Sequence, residues 1–494
     1  MPDDLSATLS AGVKLPERRG LFYGGAWHEP LGGTRLAVES PATGETLGDV
    51  AAAGAADVDA AVAAAREGFE RWRRVPPLER AKILRRFGDV LREHARELAL
   101  IDAIDGGNPL RALLHDLEMS ADGCDYFAGL VTEMKGDTVP MGEGVVNYSV
   151  REPWGVVAKI IPFNHPIMFA TLRAAAPLAA GNAVIVKTPE QAPLSALRLM
   201  EIAGDHFPPG VFNVLSGGRE AGAALVAHPG VDKVALIGSV PAGRAVLHAA
   251  ADRIKPVLLE LGGKNALIAH ADSDPAKVAA GLARGMNFTW CGQSCGSTSR
   301  AFLHADIHDA VVAELEKIVS AIRPGLPTRM ETEMGSLISR AHHGRVMEFV
   351  ESAHAEGAEL LTGGAPPDDP ELVRGCYLRP TVFTGVTPRM RIAREEIFGP
   401  VLSVLRWEDE AQMLRDVNAV EYGLTASIWT RNLATAHRNA AAVQAGFVWV
   451  NETSKHFIGT GFGGYKQSGL GREESIEELL TYTQSKNIHV RLEQ

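Results

Sequence analysis

From Val156 onward the chain repeats one pattern, a short unbroken apolar run followed by a stretch with helical spacing. The runs are Val156 to Ile161, Ala183 to Val186, Val211 to Leu215, Val234 to Ile237 and Val257 to Leu261, about 25 residues apart. That interval holds a strand, a crossover helix and two turns. The runs are apolar at every position rather than at alternate ones, as strands covered on both faces must be. The pattern predicts a doubly wound α/β domain, and such sheets bind ligands at the carboxyl ends of their strands.

The chain has 494 residues, enough for two or three domains with sizeable cores. Upstream of the repeat, Val58, Val62, Ala65, Phe69 and Trp72 recur at helical spacing, with Asp57 placed to accept from the open amides of the first turn. Pro76 and Pro77 stop that helix and start another, whose buried face would be Ile83, Leu84, Phe87, Val90 and Leu91. Both helices are expected to cover one face of the sheet. After Gly262 a second α/β region begins, with strands expected at Ala301 to Leu303, Thr381 to Phe383, Val401 to Leu405, Thr425 to Trp429 and Phe447 to Val450. Met141 to Val150 and Lys486 to Leu492 also alternate like strands, yet neither has a local partner.

A formal net charge of −11 argues against a nucleic-acid binder, which would carry a basic stripe. The most apolar stretch, Leu172 to Val186, is interrupted by Pro177, Gly181 and Asn182 and is too short to span a bilayer. The N-terminal MPDDLSATLSAGVKLPERRG has no apolar core, so no signal peptide is expected. Four cysteines, Cys124, Cys291, Cys295 and Cys376, offer neither a disulfide framework nor a zinc pair, and the histidines have no ligand spacing. A cytoplasmic protein without a catalytic metal is expected.

Four short motifs carry possible chemistry. GQSC, Gly292 to Cys295, sets a thiol among small residues where a substrate carbon can approach it. LELGGK, Leu259 to Lys264, puts Glu260 at the end of a buried strand, where desolvation raises a carboxyl toward the pKa a general base needs. PFNHP, Pro162 to Pro166, sets Asn164 at a strand's carboxyl end, with an amide NH2 that can donate to an oxyanion. GSVPAG has Gly238 and Gly243 at a strand-to-helix turn, where helix amides and the Ser239 hydroxyl can meet a pyrophosphate. Each alone has a plain structural explanation: a buried thiol, an ion-paired glutamate, a turn asparagine, an ordinary helix cap.

Together, and in this order, they resemble the aldehyde dehydrogenase superfamily over nearly the whole chain. The matching pieces are PFNHP, VIVKTPEQAPLSAL, GSVPAG, LELGGK, GQSCGSTSR, EEIFGP and GFGGYKQSGLGRE, with Glu260 and Cys295 35 residues apart. A betaine-aldehyde-dehydrogenase-like subgroup is one option within it. The last motif reads TGFGG where the family commonly has Pro before Phe, which alters the loop from Thr460 to Phe462. The resemblance implies that Cys295 attacks the aldehyde, that Asn164 and the Cys295 backbone N–H hold the oxyanion, and that Glu260 activates water to hydrolyse the thioester. It implies NAD contacts from Ile161, Pro162, Phe163, Lys187, Glu190, Gly218, Gly222, Gly238, Ser239, Leu261, Gly262, Glu396 and Phe398. A carboxylate at Glu190 would accept from the ribose hydroxyls and repel a 2′-phosphate, favouring NAD, although Lys187 would tolerate NADP.

The family fold also implies a domain layout. Residues 1–132 and 153–262 would form the NAD-binding domain, 263–480 the catalytic domain, and 133–152 with 481–494 an oligomerisation element that makes a homodimer or homotetramer. The aldehyde tunnel would be lined by Phe169, Trp290, Phe457 and Phe462, an aromatic set suited to a benzaldehyde-like ring, an aliphatic chain or a trimethylammonium group. Two other readings compete. A CoA-acylating relative has no need of a base for water, and a catalytically silent relative would lack Cys295 or Glu260.

Overall fold

Five segments buried on both faces make the centre of the first sheet. In the computed structural model, which describes residue 9 and residues 12–492, they are the parallel strands Val156–Ile160, Ala183–Lys187, Phe212–Leu215, Lys233–Gly238 and Val257–Leu261. Much of the N-terminal stretch read for a signal peptide, and residues 493 and 494, lie outside the described residues. From Val156–Ile160 the strand order runs to Ala183–Lys187 and Phe212–Leu215 on one side, and to Lys233–Gly238 and Val257–Leu261 on the other. The order therefore reverses between Val156–Ile160 and Lys233–Gly238, and a crevice opens at their carboxyl ends.

Three short strands complete this sheet. Leu21–Tyr23 and Ala26–His28 close one edge, and Gly469–Leu470 closes the other by pairing antiparallel with Val257–Leu261. Glu260 lies opposite Gly469 in that pairing. A Cβ at Gly469 would strike the Leu259 carbonyl, and its φ of +148° is one that L side chains rarely adopt.

Two expectations about the first helices need correction. Helix Ala55–Trp72 does lie on the sheet, sharing an apolar cluster with helices Arg219–Ala227 and Val240–Ala251. Helix Pro77–Glu93 instead packs on helices Leu110–Gly129 and Pro166–Ala180, away from that face. Its periodicity specified an apolar face but not the partner. Asp57 sits inside the first turn, not at its cap; its carboxylate accepts from the Gly54 and Leu31 N–H groups at 2.9 and 2.8 Å.

The chain leaves the first sheet at Leu261 and enters the second at Ala266. That sheet runs Glu359–Thr362, Thr381–Thr384, Val401–Trp407, Arg300–His304, Ala266–Ala269, Thr425–Trp429, Phe447–Val450, parallel except for its first pair. A third sheet pairs Val145–Pro153 with Thr483–Arg491 and with Thr138–Val139, all antiparallel. The stretch read as one strand from Met141 to Val150 is thus a turn at its start, where Gly142 and Gly144 have φ of +91° and +77°. The two stretches without local partners pair chiefly with each other.

Candidate active site

Cys295 and Glu260 meet on the wall between two cavities, each of about 330 Å³. One cavity lies over the carboxyl ends of the first sheet and is bordered by Pro162, Phe163, Asn164, Gly238, Ser239, Gly262, Glu396 and Phe398. The other opens away from it and is bordered by Phe169, Trp290 and Phe462. Glu260 arrives on its strand, and Cys295 on an irregular turn leading to strand Arg300–His304.

That turn is unusual in its backbone. Asn287, Cys291 and Gly292 all have positive φ, and a Cβ at Gly292 would strike Gly399. Non-glycine residues in this region store strain that the surroundings must hold. Asn265 does much of the holding: its side-chain NH2 donates to the Cys295 and Ser297 carbonyls at 2.7 and 3.0 Å. Its Oδ1 accepts from the Thr425 N–H at 3.0 Å.

The electrostatics set the two central groups against each other. Burial, and then the neighbouring carboxylate of Glu473, push Glu260 up to about 8, against a hydrogen bond with Cys295. Burial and the Glu260 carboxyl push the Cys295 thiol well above its ordinary value. Only the ionised Glu260 carboxylate can therefore take the proton of the Cys295 thiol. The Asn164 side-chain nitrogen and the Cys295 backbone N–H make no hydrogen bond to any described residue, so two donors are free beside the sulfur. The Asn164 backbone is fixed from behind, its carbonyl accepting from the Asn108 side chain at 2.9 Å.

Behind Glu260 lies a buried ionic cluster that sequence patterns did not reveal. Arg173 reaches Glu473, Glu474 and Glu478 at 3.2, 2.9 and 3.9 Å, and Lys159 lies 3.7 Å from Glu473. Burial opposes ionisation of Glu474, but His456 and Arg173 hold its carboxyl down at about 2. Glu473 belongs to the quoted GFGGYKQSGLGRE motif; Lys159 and Arg173 sit in apolar runs, where a lone cation gives no pattern.

The cavity over the first sheet suits a dinucleotide. Gly238, Ser239, Val240 and Pro241 bring the amino end of helix Val240–Ala251 to its edge, with Ser239 as the cap. Gly243 lies within the helix and packs against Leu261 rather than presenting an amide. A Cβ at Gly262 would collide with the Glu396 carboxylate, which accepts from the Gly263 N–H at 2.9 Å. Burial raises Glu396 to about 7. Phe398 has φ of +57°, and His342 bonds its carbonyl at 2.7 Å while Arg345 donates to the Glu396 carbonyl at 3.3 Å. His342 and Arg345 also border this cavity and were not anticipated.

The remaining expected cofactor residues lie further out. Glu190 faces a separate cavity, beside Gly218, where a Cβ would come 2.8 Å from its carboxylate. Lys187, at the end of its strand, is buried and lowered to about 8 by desolvation, and its ammonium makes no hydrogen bond to a described residue. Ile161 bonds the Lys187 carbonyl, Leu261 pairs with Gly238, and Gly222 packs toward Ile160, so these three support the wall and do not form it. Of the four expected tunnel aromatics, Phe457 is 51% exposed and does not border the second cavity. Its loop turns the ring outward, with Lys455 above it at 5.1 Å.

Among the described residues no helix is long and apolar enough to cross a membrane, and no group of three or more His, Cys, Asp or Glu side chains is placed to hold a metal.

The sequence profile of the aldehyde dehydrogenase family matches residues 27–488. The chain is 50% identical over 485 residues to aldehyde dehydrogenase tropH of Talaromyces stipitatus, covering 97% of this chain and 94% of that one. It superposes on an NAD+ complex of aldehyde dehydrogenase from Bacillus cereus with a TM-score of 0.93 at 38% identity, covering 97% of both chains. It superposes on an NAD-dependent aldehyde dehydrogenase from Sinorhizobium meliloti with a TM-score of 0.95 at 37% identity, covering 99% of this chain and 97% of that one.

Proposed function

The chain belongs to the aldehyde dehydrogenase family, and on that premise we propose that it oxidises an aldehyde to the carboxylic acid with NAD, through a thioester on Cys295. The observation that carries this reading is the position of Cys295 and Glu260 on the wall shared by two cavities. One cavity suits the cofactor and the other admits the aldehyde.

Cys295 gives its proton to Glu260 as the sulfur bonds to the aldehyde carbon. The Asn164 NH2 and the Cys295 N–H donate to the oxygen, which gains the negative charge. One such donor contributes about 3 to 4 kcal/mol in other acyl-transfer sites. NAD, when bound, supplies the hydride acceptor that turns this adduct into a thioester. Glu260 releases the thiol proton to solvent and, ionised again, takes a proton from water as the hydroxide attacks the thioester carbonyl. The C–S bond breaks, and the leaving sulfur regains a proton from Glu260 as the acid is released.

Glu396, Phe398, Gly238, Ser239, Lys187 and Glu190 would hold the cofactor along the carboxyl end of the sheet. Glu190 supports NAD over NADP, because a second negative charge beside it would be repelled. The sheets also support the expected division into an NAD-binding part (1–132 and 153–262), a catalytic part (263–480) and an oligomerisation element (133–152 and 481–494). The strands Thr483–Arg491 and Thr138–Val139 leave two open edges on the third sheet, and an open edge favours pairing in a homodimer or homotetramer. A thiol that must stay reduced to work supports a cytoplasmic setting.

The test is NADH formation on mixing protein, NAD and a panel of aldehydes, with the acid identified as product. Turnover that strictly requires CoA would replace hydrolysis by acyl transfer. Undiminished turnover by Cys295→Ala would remove the thioester route.

A further inference from the structure

Three histidines border the aldehyde-side cavity; His115 pairs with the exposed Glu118, whereas His165 and His456 both rest on buried carboxylates. His165 Nδ1 lies 2.8 Å from the Asp116 carboxylate, and His456 Nδ1 lies 3.2 Å from the Glu474 carboxylate. Both carboxylates are buried, at 5% and 7% side-chain exposure. A carboxylate at Nδ1 fixes the tautomer, since Nδ1 must carry the hydrogen and Nε2 is left to face a ligand. Neither Nε2 makes a hydrogen bond to any described residue.

The rings are also part of flat walls. His165 lies against Trp290 with centroids 4.1 Å apart and meets Phe169 at 5.3 Å, while His456 meets Phe462 at 4.6 Å. Aromatic faces at these separations favour a planar guest. The carboxylates themselves are not free to attract a cation. Asp116 is held by His165, and Glu474 by both Arg173 and His456. A trimethylammonium group would thus meet imidazoles in place of an open anionic or wholly aromatic box.

We propose that His165 and His456 select aromatic aldehydes bearing a ring hydroxyl, the Nε2 of at least one imidazole sharing the hydroxyl proton. The match holds in either protonation state. A neutral imidazole accepts from a phenol, and an imidazolium donates to a phenolate. This rests on the aldehyde-oxidising reading above, and it concerns only which aldehyde the site prefers.

The test compares kcat/KM for 3- and 4-hydroxybenzaldehyde, benzaldehyde, hexanal and betaine aldehyde, in the full-length protein with NAD. We expect at least one hydroxybenzaldehyde to exceed benzaldehyde by about tenfold, as one net hydrogen bond gives. In His165→Phe or His456→Phe that ratio should fall toward one, while benzaldehyde turnover persists as an internal control of folding. Oxidation of benzaldehyde or hexanal with no hydroxyl preference, or a preference unchanged in both variants, overturns the proposal and leaves the aldehyde reading intact. A preference for betaine aldehyde overturns it as well. Absence of NADH formation with every aldehyde defeats both at once.

Discussion

Asn265 grips the loop of Cys295 from behind, its side-chain NH2 donating to the Cys295 carbonyl at 2.7 Å while its Oδ1 accepts from the Thr425 N–H at 3.0 Å. The nucleophile's backbone is thereby tied to a strand of the second sheet. Asn265→Ala leaves buried carbonyls without donors, at a cost of about 1–3 kcal/mol. We expect a lower melting temperature and a kcat reduced by up to about 100-fold from misplacement of the sulfur. Thermal denaturation and steady-state kinetics read the two effects separately.

The raised pKa of Glu260 gives turnover a pH dependence with a definite sign. Its carboxyl is pushed up to about 8 by burial and by Glu473, so below that pH it is mostly protonated and cannot take a proton from water. Hydrolysis-limited kcat should rise through about pH 8 and level off above it. Glu260→Gln should lose this limb and give a single burst of NADH followed by slow turnover. Stopped-flow absorbance with both proteins checks the outcome, and a linear undiminished trace from the variant would take Glu260 out of the hydrolytic step.

Asn164→Ala removes one of the two free donors beside the sulfur. The expected loss is about 100- to 1,000-fold in kcat, the usual effect of deleting one oxyanion donor. Cys295→Ala should abolish turnover altogether. Fluorescence titration should show NADH bound normally by both variants; loss of binding would instead mean that the cofactor cavity had collapsed.

Arg173 balances Glu473, Glu474 and Glu478 at a buried position beside the aldehyde-side cavity. Removing one partner of a buried ionic group costs about 3–5 kcal/mol, because the other charges are left uncompensated. Arg173→Met should therefore unfold at markedly lower denaturant concentration. An unchanged midpoint would mean that the carboxyls had taken up protons in its absence.

Glu190 stands on the cofactor side, next to Gly218 and within reach of the Lys187 charge. Glu190→Gln should raise kcat/KM with NADP by about tenfold, equivalent to 1.4 kcal/mol, with a smaller loss for NAD. Equal ratios in variant and parent would show that cofactor choice is made elsewhere.

Much of this architecture could be read from residue order because the central strands are buried on both faces and so apolar throughout. Val257–Leu261 matches the expected run from end to end. The short edge pieces could not be read: Gly469–Leu470 has two residues, too few for any periodicity. Helix periodicity located the buried face of Pro77–Glu93 but could not say that helices Leu110–Gly129 and Pro166–Ala180 would share in covering it. At the site, Cys295, Glu260 and Asn164 stood in recognisable local motifs. Asn265, Arg173 and the two histidines derive their roles from partners far along the chain, such as Asp116, 49 residues from His165. Phe457 was named from its position in the family resemblance, yet its loop turns it to solvent.

The pairing of Glu260 with Gly469 also has a consequence in time. During synthesis the strand carrying Glu260 leaves the ribosome long before the residues that cover its outer edge. Until Gly469 and Leu470 emerge, followed by the glutamates that face Arg173, the base lies at an open margin without its electrostatic surroundings. A nascent or prematurely terminated chain would already hold the thiol, but not the neighbour that tunes its base. Competence for the reaction is thus acquired late and all together, and incomplete chains should be inert toward aldehydes.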